Sequence, residues 1–243
     1  MHFLDSIPDG DRSSQLKAIL DYLSVPNYLK GYDYLSSAIL LTAESDGVIQ
    51  SGLYDNIAKM HNTTKTSVER AIQVAIRAAW DKCDLDILNS CFGYTVDSNR
   101  ARPTPKEFIS ILADYLSLKA ENDPLKIKVT ESLHTLGVPA SILGYHYLRT
   151  AIILTVNDPD MILNITKRMY KEIASKHTTT ISCVDRSIRK AIEISLDRGN
   201  VDALFSYFGY HFYNAPKRPT DSEYIAMISD DIRLGESIKS SAV

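Results

Sequence analysis

Two pentapeptides set an acid beside an arginine near the head of a helical pattern: Val68-Glu69-Arg70-Ala71-Ile72 and Val184-Asp185-Arg186-Ser187-Ile188. A guanidinium can donate two parallel hydrogen bonds to guanine O6 and N7, and a carboxylate can accept from cytosine N4. Such chemistry needs a helix whose first turns are free to enter a major groove. The apolar residues supply the register: Val68, Ile72, Val184 and Ile188 recur at helical spacing and point inward. That turns Lys65, Ser67, Glu69, Arg70, Gln73 and Arg77 outward, and in the second stretch Ile181, Cys183, Asp185, Arg186, Arg189 and Lys190. Thr66 and Ser182, at the helix heads, complete the set expected to meet DNA.

These stretches form the second half of a helix-turn-helix pattern. Ile57-Ala58 and Ile173-Ala174 give the preceding helix one large and one small apolar residue, and the small alanine lets the helices cross closely. An Asn/Thr cluster separates the two helices. Thr66-x-x-Glu69 and Ser182-x-x-Asp185 have the spacing of capping boxes. Thr64 and Thr180 are equally good cap positions, and the sequence leaves the choice open.

The pattern occurs twice because the chain is duplicated. Leu53–Tyr94 aligns without a gap on Met169–Tyr210, with 18 of 42 residues identical, which is too many for chance. Upstream, Leu23–Leu35 returns as Leu136–Leu148, and the shift from an offset of 113 to 116 places three extra residues in the second copy between the two blocks. A period this long is a repeated domain, not a solenoid unit. Two domains are expected, 11–118 and 124–235, joined at Ser117–Asp123, with a frayed tail after Gly235.

The fold class expected is all-α, two similar six-helix domains in tandem. Helices are expected at 13–23, 28–44, 52–60, 65–80, 84–92 and 105–116. In the second copy they are expected at 126–136, 141–156, 159–176, 181–196, 200–208 and 220–233. Pro105 suits a first helical turn.

The net charge of −3 is unusual for a nucleic-acid binder, but the distribution matters more. From Lys59 to Lys82 five basic residues face two acids, and from Lys167 to Arg198 eight face four. Each unit is followed by a basic loop, Arg100-Ala-Arg102-Pro103 and Pro216-Lys217-Arg218-Pro219. Arg100, Arg102, Lys217 and Arg218 are candidate phosphate contacts, as are His61 and His177 at the turns.

Cys83, Cys91 and Cys183 lack zinc-site spacing; Cys91 and Cys183 sit in apolar helical patterns as small hydrophobes. The first fourteen residues lack a signal-peptide core, and the longest apolar run is too short to span a bilayer, so a cytoplasmic protein is expected. No phosphate-binding glycine loop, nucleophile elbow or metal-spaced His/Glu set is present. No enzyme activity, cofactor, metal or small-molecule substrate is expected.

Gly-Tyr-x-Tyr-Leu, Ile-Ala-x-x-His-x-Thr-Thr, Val-Glu-Arg-Ala-Ile, Phe-Gly-Tyr and Arg-Pro-Thr together resemble the C-terminal effector domain of the sporulation-initiation response regulator, the stage-zero sporulation protein A of endospore-forming Firmicutes. The resemblance covers nearly the whole chain, once per half. Val156-Asn157-Asp158 and Ile165-Thr166-Lys167 extend it in the second copy.

The resemblance implies an all-helical DNA-binding module that pairs head to tail on adjacent TGTCGAA-type boxes of double-stranded DNA. It implies that Glu69 and Arg70 read bases in the first copy, and Asp185 and Arg186 in the second with Arg189 beside them. No receiver domain is seen ahead of the first unit, so control by aspartyl phosphorylation is not implied. Ser67 and Cys183 stand where the family commonly has a basic residue, and Gln73 replaces another that Arg189 keeps. Asp185 is one methylene shorter than the family glutamate. The two copies are therefore expected to read different half-sites, or one to grip backbone only.

Other readings stay open. Arg70 and Arg186 as solvated surface, Glu69 and Asp185 as caps, and the loop cations as solubilising charges are the plain alternatives. Tyr32, Tyr34, Tyr145, Tyr147 and Trp80 are expected as core or interface aromatics. At the level of function, the alternatives are a protein-interaction module that binds a related regulator or RNA polymerase, and an origin-binding protein of a plasmid or phage.

Overall fold

A computed structural model describes residues 3–93, 102–213 and 218–241. Among them every regular element is helical, as the periodicity predicts. The chain divides into two compact units, Met1–Asn122 and Asp123–Val243.

The first unit contains α1 (Arg12–Tyr22), α2 (Lys30–Ala43), α3 (Leu53–Met60), α4 (Lys65–Lys82), α5 (Leu85–Phe92) and α6 (Pro105–Glu121). Helix α2 is the hub, packed against both α4 and α6. Leu35, Ile39, Val68, Ile72 and Leu112 of these helices are fully buried, as is Ile57 of α3. Each such side chain is worth roughly 1.5–3 kcal/mol of burial. Trp80 is half-buried, edge-on to Phe92 with ring centroids 5.4 Å apart.

The second unit repeats the order: α7 (Pro124–Thr135), α8 (Leu143–Asn157), α9 (Tyr170–Lys176), α10 (Ile181–Arg198), α11 (Val201–Tyr213) and α12 (Asp221–Ser241). Here α8 is the hub, against α10 and α12. Tyr145, Ile173, Val184, Ile188 and Ile228 are fully buried.

One glycine in each unit sets how closely hub and recognition helix approach. A Cβ on Gly31 would collide with the Ala71 carbonyl and lie 2.9 Å from Ala75 Cβ. A Cβ on Gly144 would collide with the Ser187 carbonyl and lie 2.9 Å from Ala191 Cβ. This is why Gly31 and Gly144 recur in both Gly-Tyr-x-Tyr-Leu segments: backbone contacts backbone there.

Three expectations need correction. The single helix expected over 159–176 is broken into a 3-10 segment (Pro159–Asn164), a π turn (Ile165–Met169) and then α9. The three extra residues of the second copy fall in this stretch, whose counterpart in the first copy, 44–52, is turns rather than helix, and Ile173 stays as fully buried as Ile57. Asp158 starts the segment, accepting from the Asp160 amide at 3.1 Å and from Arg168 at 2.6 Å.

The junction is also shorter than composition suggests. Ser117–Glu121 is helical, with Ser117 and Leu118 buried, and only Asn122 and Asp123 separate α6 from α7. Asn122 takes the left-handed conformation, and Asp123 caps α7 by accepting from the amides of Leu125 and Lys126. Finally, α12 runs past Gly235 to Ser241 where fraying is expected. Helical hydrogen bonds are local and need no tertiary partner to continue.

Helix α11 holds a non-helical residue, Gly209, at φ 72°, and Gly93 ends α5 at φ 47°. Positive φ at both explains why Phe-Gly-Tyr recurs.

Candidate nucleic-acid interface

The turn between α3 and α4 and that between α9 and α10 are built by the same bonds. The Thr63 amide donates to the Ala58 carbonyl at 2.9 Å, and the Thr179 amide to the Ala174 carbonyl at 2.9 Å. This six-residue closure requires a left-handed residue, supplied by Asn62 (φ 50°) and Thr178 (φ 48°). Asparagine tolerates that region well, whereas a β-branched threonine is strained in it.

The cap alternatives resolve in one direction. Thr64 accepts from the Ser67 amide at 3.2 Å, and Thr180 from the Cys183 amide at 3.2 Å. Thr66 and Ser182 are thereby left exposed in the first helical turn, free for other partners.

On α4, Lys65, Ser67, Arg70, Gln73 and Arg77 are exposed and Glu69 is half-buried. Lys65 pairs with Asp55 at 3.1 Å. Among the described residues Arg70 and Arg77 make no ion pair. Burial pushes the Tyr54 phenol above its ordinary pKa, and the Glu69 charge adds to the shift.

On α10, Arg186, Arg189 and Lys190 are exposed while Cys183 and Asp185 are half-buried. Cys183 is therefore not the buried hydrophobe expected; that role falls to Cys91, whose thiol burial pushes well up. A hydrogen bond with Thr179, helped by Ser187, Tyr147 and the charge of Arg186, draws the Cys183 thiol below its ordinary value. Asp185 accepts from Arg189 at 3.0 Å, and Lys190 pairs with Glu193 at 3.2 Å. Arg186 Nε donates to its own helix, to the Ser182 carbonyl at 3.2 Å.

The turn histidines pack into their own domains. His61 Nε2 lies 3.0 Å from Ser37 Oγ with its ring edge-on to Tyr34; His177 Nε2 lies 3.0 Å from Thr150 Oγ1 and edge-on to Tyr147. Both rings are half-buried, so they brace the turn from the hub helix. Tyr34, Tyr145 and Tyr147 are buried and Tyr32 half-buried, in line with core aromatics.

Arg102 and Arg218 lie beside the recognition helices, each just ahead of a true capping box. Thr104 donates its amide to Glu107 Oε2 at 2.7 Å while the Glu107 amide returns to Thr104 Oγ1. Thr220 and Glu223 repeat this, with the amide bond again 2.7 Å. Both boxes have the plain spacing Thr-x-x-Glu, Thr104 to Glu107 and Thr220 to Glu223.

A groove of about 250 Å³ lies between loop and helix in the first unit, lined by Gln73, Ile76, Arg77, Arg102, Pro103 and Pro105. Its counterpart of about 460 Å³ includes Tyr170, Asp185, Arg189, Glu193, Arg218 and Asp221. Arg218 is held by Asp197 at 2.7 Å. The Tyr170 hydroxyl donates to Asp221 at 2.9 Å. Burial raises the Asp221 carboxyl and pushes Tyr170 far above its ordinary value. Arg100 and Lys217 lie outside the described residues.

Sequence reasoning missed Gly31, Gly144, Ser37, Thr150 and Asp197. The first two carry a signal, recurrence in both copies; a hydroxyl at 37 and 150 carries a weaker one. No helix among the described residues is long and apolar enough to cross a membrane, and no group of three or more His, Cys, Asp or Glu is placed to hold a metal.

The family model described as sporulation initiation factor Spo0A C terminal matches the chain twice, over residues 16–116 and 129–232. That family is a DNA-binding effector domain and not an enzymatic one.

Proposed function

The chain belongs to the Spo0A C-terminal family in both of its halves, and from that premise we propose a sequence-specific, double-stranded-DNA-binding transcriptional regulator of the cytoplasm. The observation that carries the reading is the placement of Arg70 and Arg186. Each is exposed in the second turn of a helix whose cap, turn and hub contacts are reproduced in the other unit. Arg70 with Glu69, and Arg186 in the second copy, reach base edges. Lys65, Thr66, Ser67, Gln73, Ser182, Arg189 and Lys190 surround them, and Arg102 and Arg218 approach phosphates from the adjoining loops.

The domains 11–118 and 124–235 act as two tethered readers on tandem TGTCGAA-type boxes. Tethering makes the second binding event intramolecular, at an effective concentration that reaches about millimolar for short links. It thereby takes the place of phosphorylation-driven pairing. RNA polymerase is a candidate partner at the promoter.

Fluorescence anisotropy on a two-box duplex against a scrambled one tests this. Arg70→Ala combined with Arg186→Ala should abolish the preference; an unchanged preference refutes base reading by these residues. A second reading, a module that binds a related regulator or polymerase, draws support from the Asp185–Arg189 pair and from the uncharged Ser67, Gln73 and Cys183. Capture of the regulator or of polymerase with no DNA binding would establish it. A plasmid or phage origin role would use the same contacts and would show in the neighbouring genes.

A further inference from the structure

We infer that the DNA-facing surface of the second unit is self-neutralised, and that Asp185, Glu193 and Asp197 limit how strongly it attracts a polyanion. The inference rests on the proposed DNA-binding role and assigns unequal work to the two units. Three of the second unit's exposed cations are each held by a carboxylate on α10 itself. Arg189 lies on Asp185 at 3.0 Å, Lys190 on Glu193 at 3.2 Å, and Arg218 on Asp197 at 2.7 Å. The groove between α10 and its loop is lined by Asp185, Glu193 and Asp221 as well as by Arg189 and Arg218.

The matching surface of the first unit keeps two of those acids, Glu69 for Asp185 and Asp81 for Asp197, but among the described residues neither makes an ion pair. Arg77 stands where Glu193 stands in the second copy, and Gln73 and Val74 stand where Arg189 and Lys190 do. Among the described residues its groove is lined by Arg77 and Arg102 and by no acid. Among the described residues, Arg70, Arg77 and Arg102 make no ion pair; Lys65, on Asp55, is the one paired cation of the set. A count of basic residues alone favours the second unit, yet the pairs reverse the order.

The physics is that of competition for phosphate. These pairs are solvent-exposed, with side chains 37–65% accessible, so each holds its arginine or lysine only weakly. Their effect comes from the carboxylate, which stays within a few ångströms of the cation when a phosphate arrives. At that range salt screens it little, because the Debye length is about 8 Å at physiological ionic strength. Each cation so encumbered neutralises less of a phosphate and releases less counterion.

The test is made on the full chain with Asp185→Asn, Glu193→Gln and Asp197→Asn combined. The control combines Asp21→Asn, Asp33→Asn and Glu44→Gln, three exposed carboxylates of the first unit outside the recognition helix itself, so net charge changes equally. Both are run on a heparin column and titrated with the two-box duplex between low and physiological salt. The face variant should elute at clearly higher salt than the control and steepen the log–log salt slope by about 2–3. Arg189→Ala with Lys190→Ala should weaken binding less than Arg70→Ala with Arg77→Ala. Coincident elution of face variant and control overturns the inference. If the wild-type chain shows no preference for the box duplex, the functional reading fails on its own, and the heparin comparison still decides this one.

Discussion

Helices α4 and α10 are held in place by nearly the same atoms and face outward with different chemistry. Thr64 and Thr180 cap them, His61 and His177 brace their turns, and Gly31 and Gly144 let the hub helices touch them backbone to backbone. On the outside, Arg70 and Arg77 stand without ion pairs among the described residues, while Asp185, Glu193 and Asp197 each hold a cation. The scaffold of the duplicated domain has been kept at backbone precision, and the face has been free to change. The requirement for a close helix crossing is steric and admits only glycine; the requirement on an exposed surface is electrostatic and admits many solutions.

If the scaffold is truly shared, the largest effects should match between units. Gly31→Ala and Gly144→Ala each drive a methyl into a neighbouring carbonyl and should each cost about 3 kcal/mol, read by denaturant unfolding. A large loss for one and none for the other would mean that the two crossings do not do the same job. The next effect should instead differ between units. Arg70→Ala should cost about 1–3 kcal/mol of specific affinity, the worth of a bidentate base contact. Arg186→Ala should cost less, since its guanidinium already donates to the Ser182 carbonyl. Titration of each variant with the two-box duplex separates them.

Cap removal should restore equality at a smaller scale. Thr64→Ala and Thr180→Ala should each destabilise by about 1 kcal/mol. The smallest expected effect again splits the units, this time in stability. Thr178→Asn should stabilise the second unit by about 0.5–1 kcal/mol by relieving a β-branched residue at φ 48°, and Asn62→Thr should destabilise the first by a similar amount. Thermal unfolding of the paired variants reads both signs.

Much of this was legible in the sequence because the chain repeats. Val68, Ile72, Val184 and Ile188 gave the register of the recognition helices, and all four are fully buried. Repetition also marked Gly31 and Gly144, although periodicity alone says nothing of a backbone contact. What stayed hidden depends on pitch or on distant partners. The break of 159–176 into 3-10 and π segments leaves no mark on helical propensity, because the residues there are ordinary helix formers. The pairing of Arg218 with Asp197 spans 21 residues, so no local pattern shows it. The cap choice between Thr64 and Thr66 turns on which residue keeps extended backbone, and both threonines have the same side chain.

The central claim, two tethered domains reading two boxes through Arg70 and Arg186, meets its most direct test in anisotropy at physiological salt on duplexes with two boxes, one box and none. We expect the two-box duplex to bind far more tightly than the one-box duplex, and the box-free duplex to fall away as salt rises. Equal binding to all three, lost together with salt, would contradict the claim and leave only attraction to phosphate.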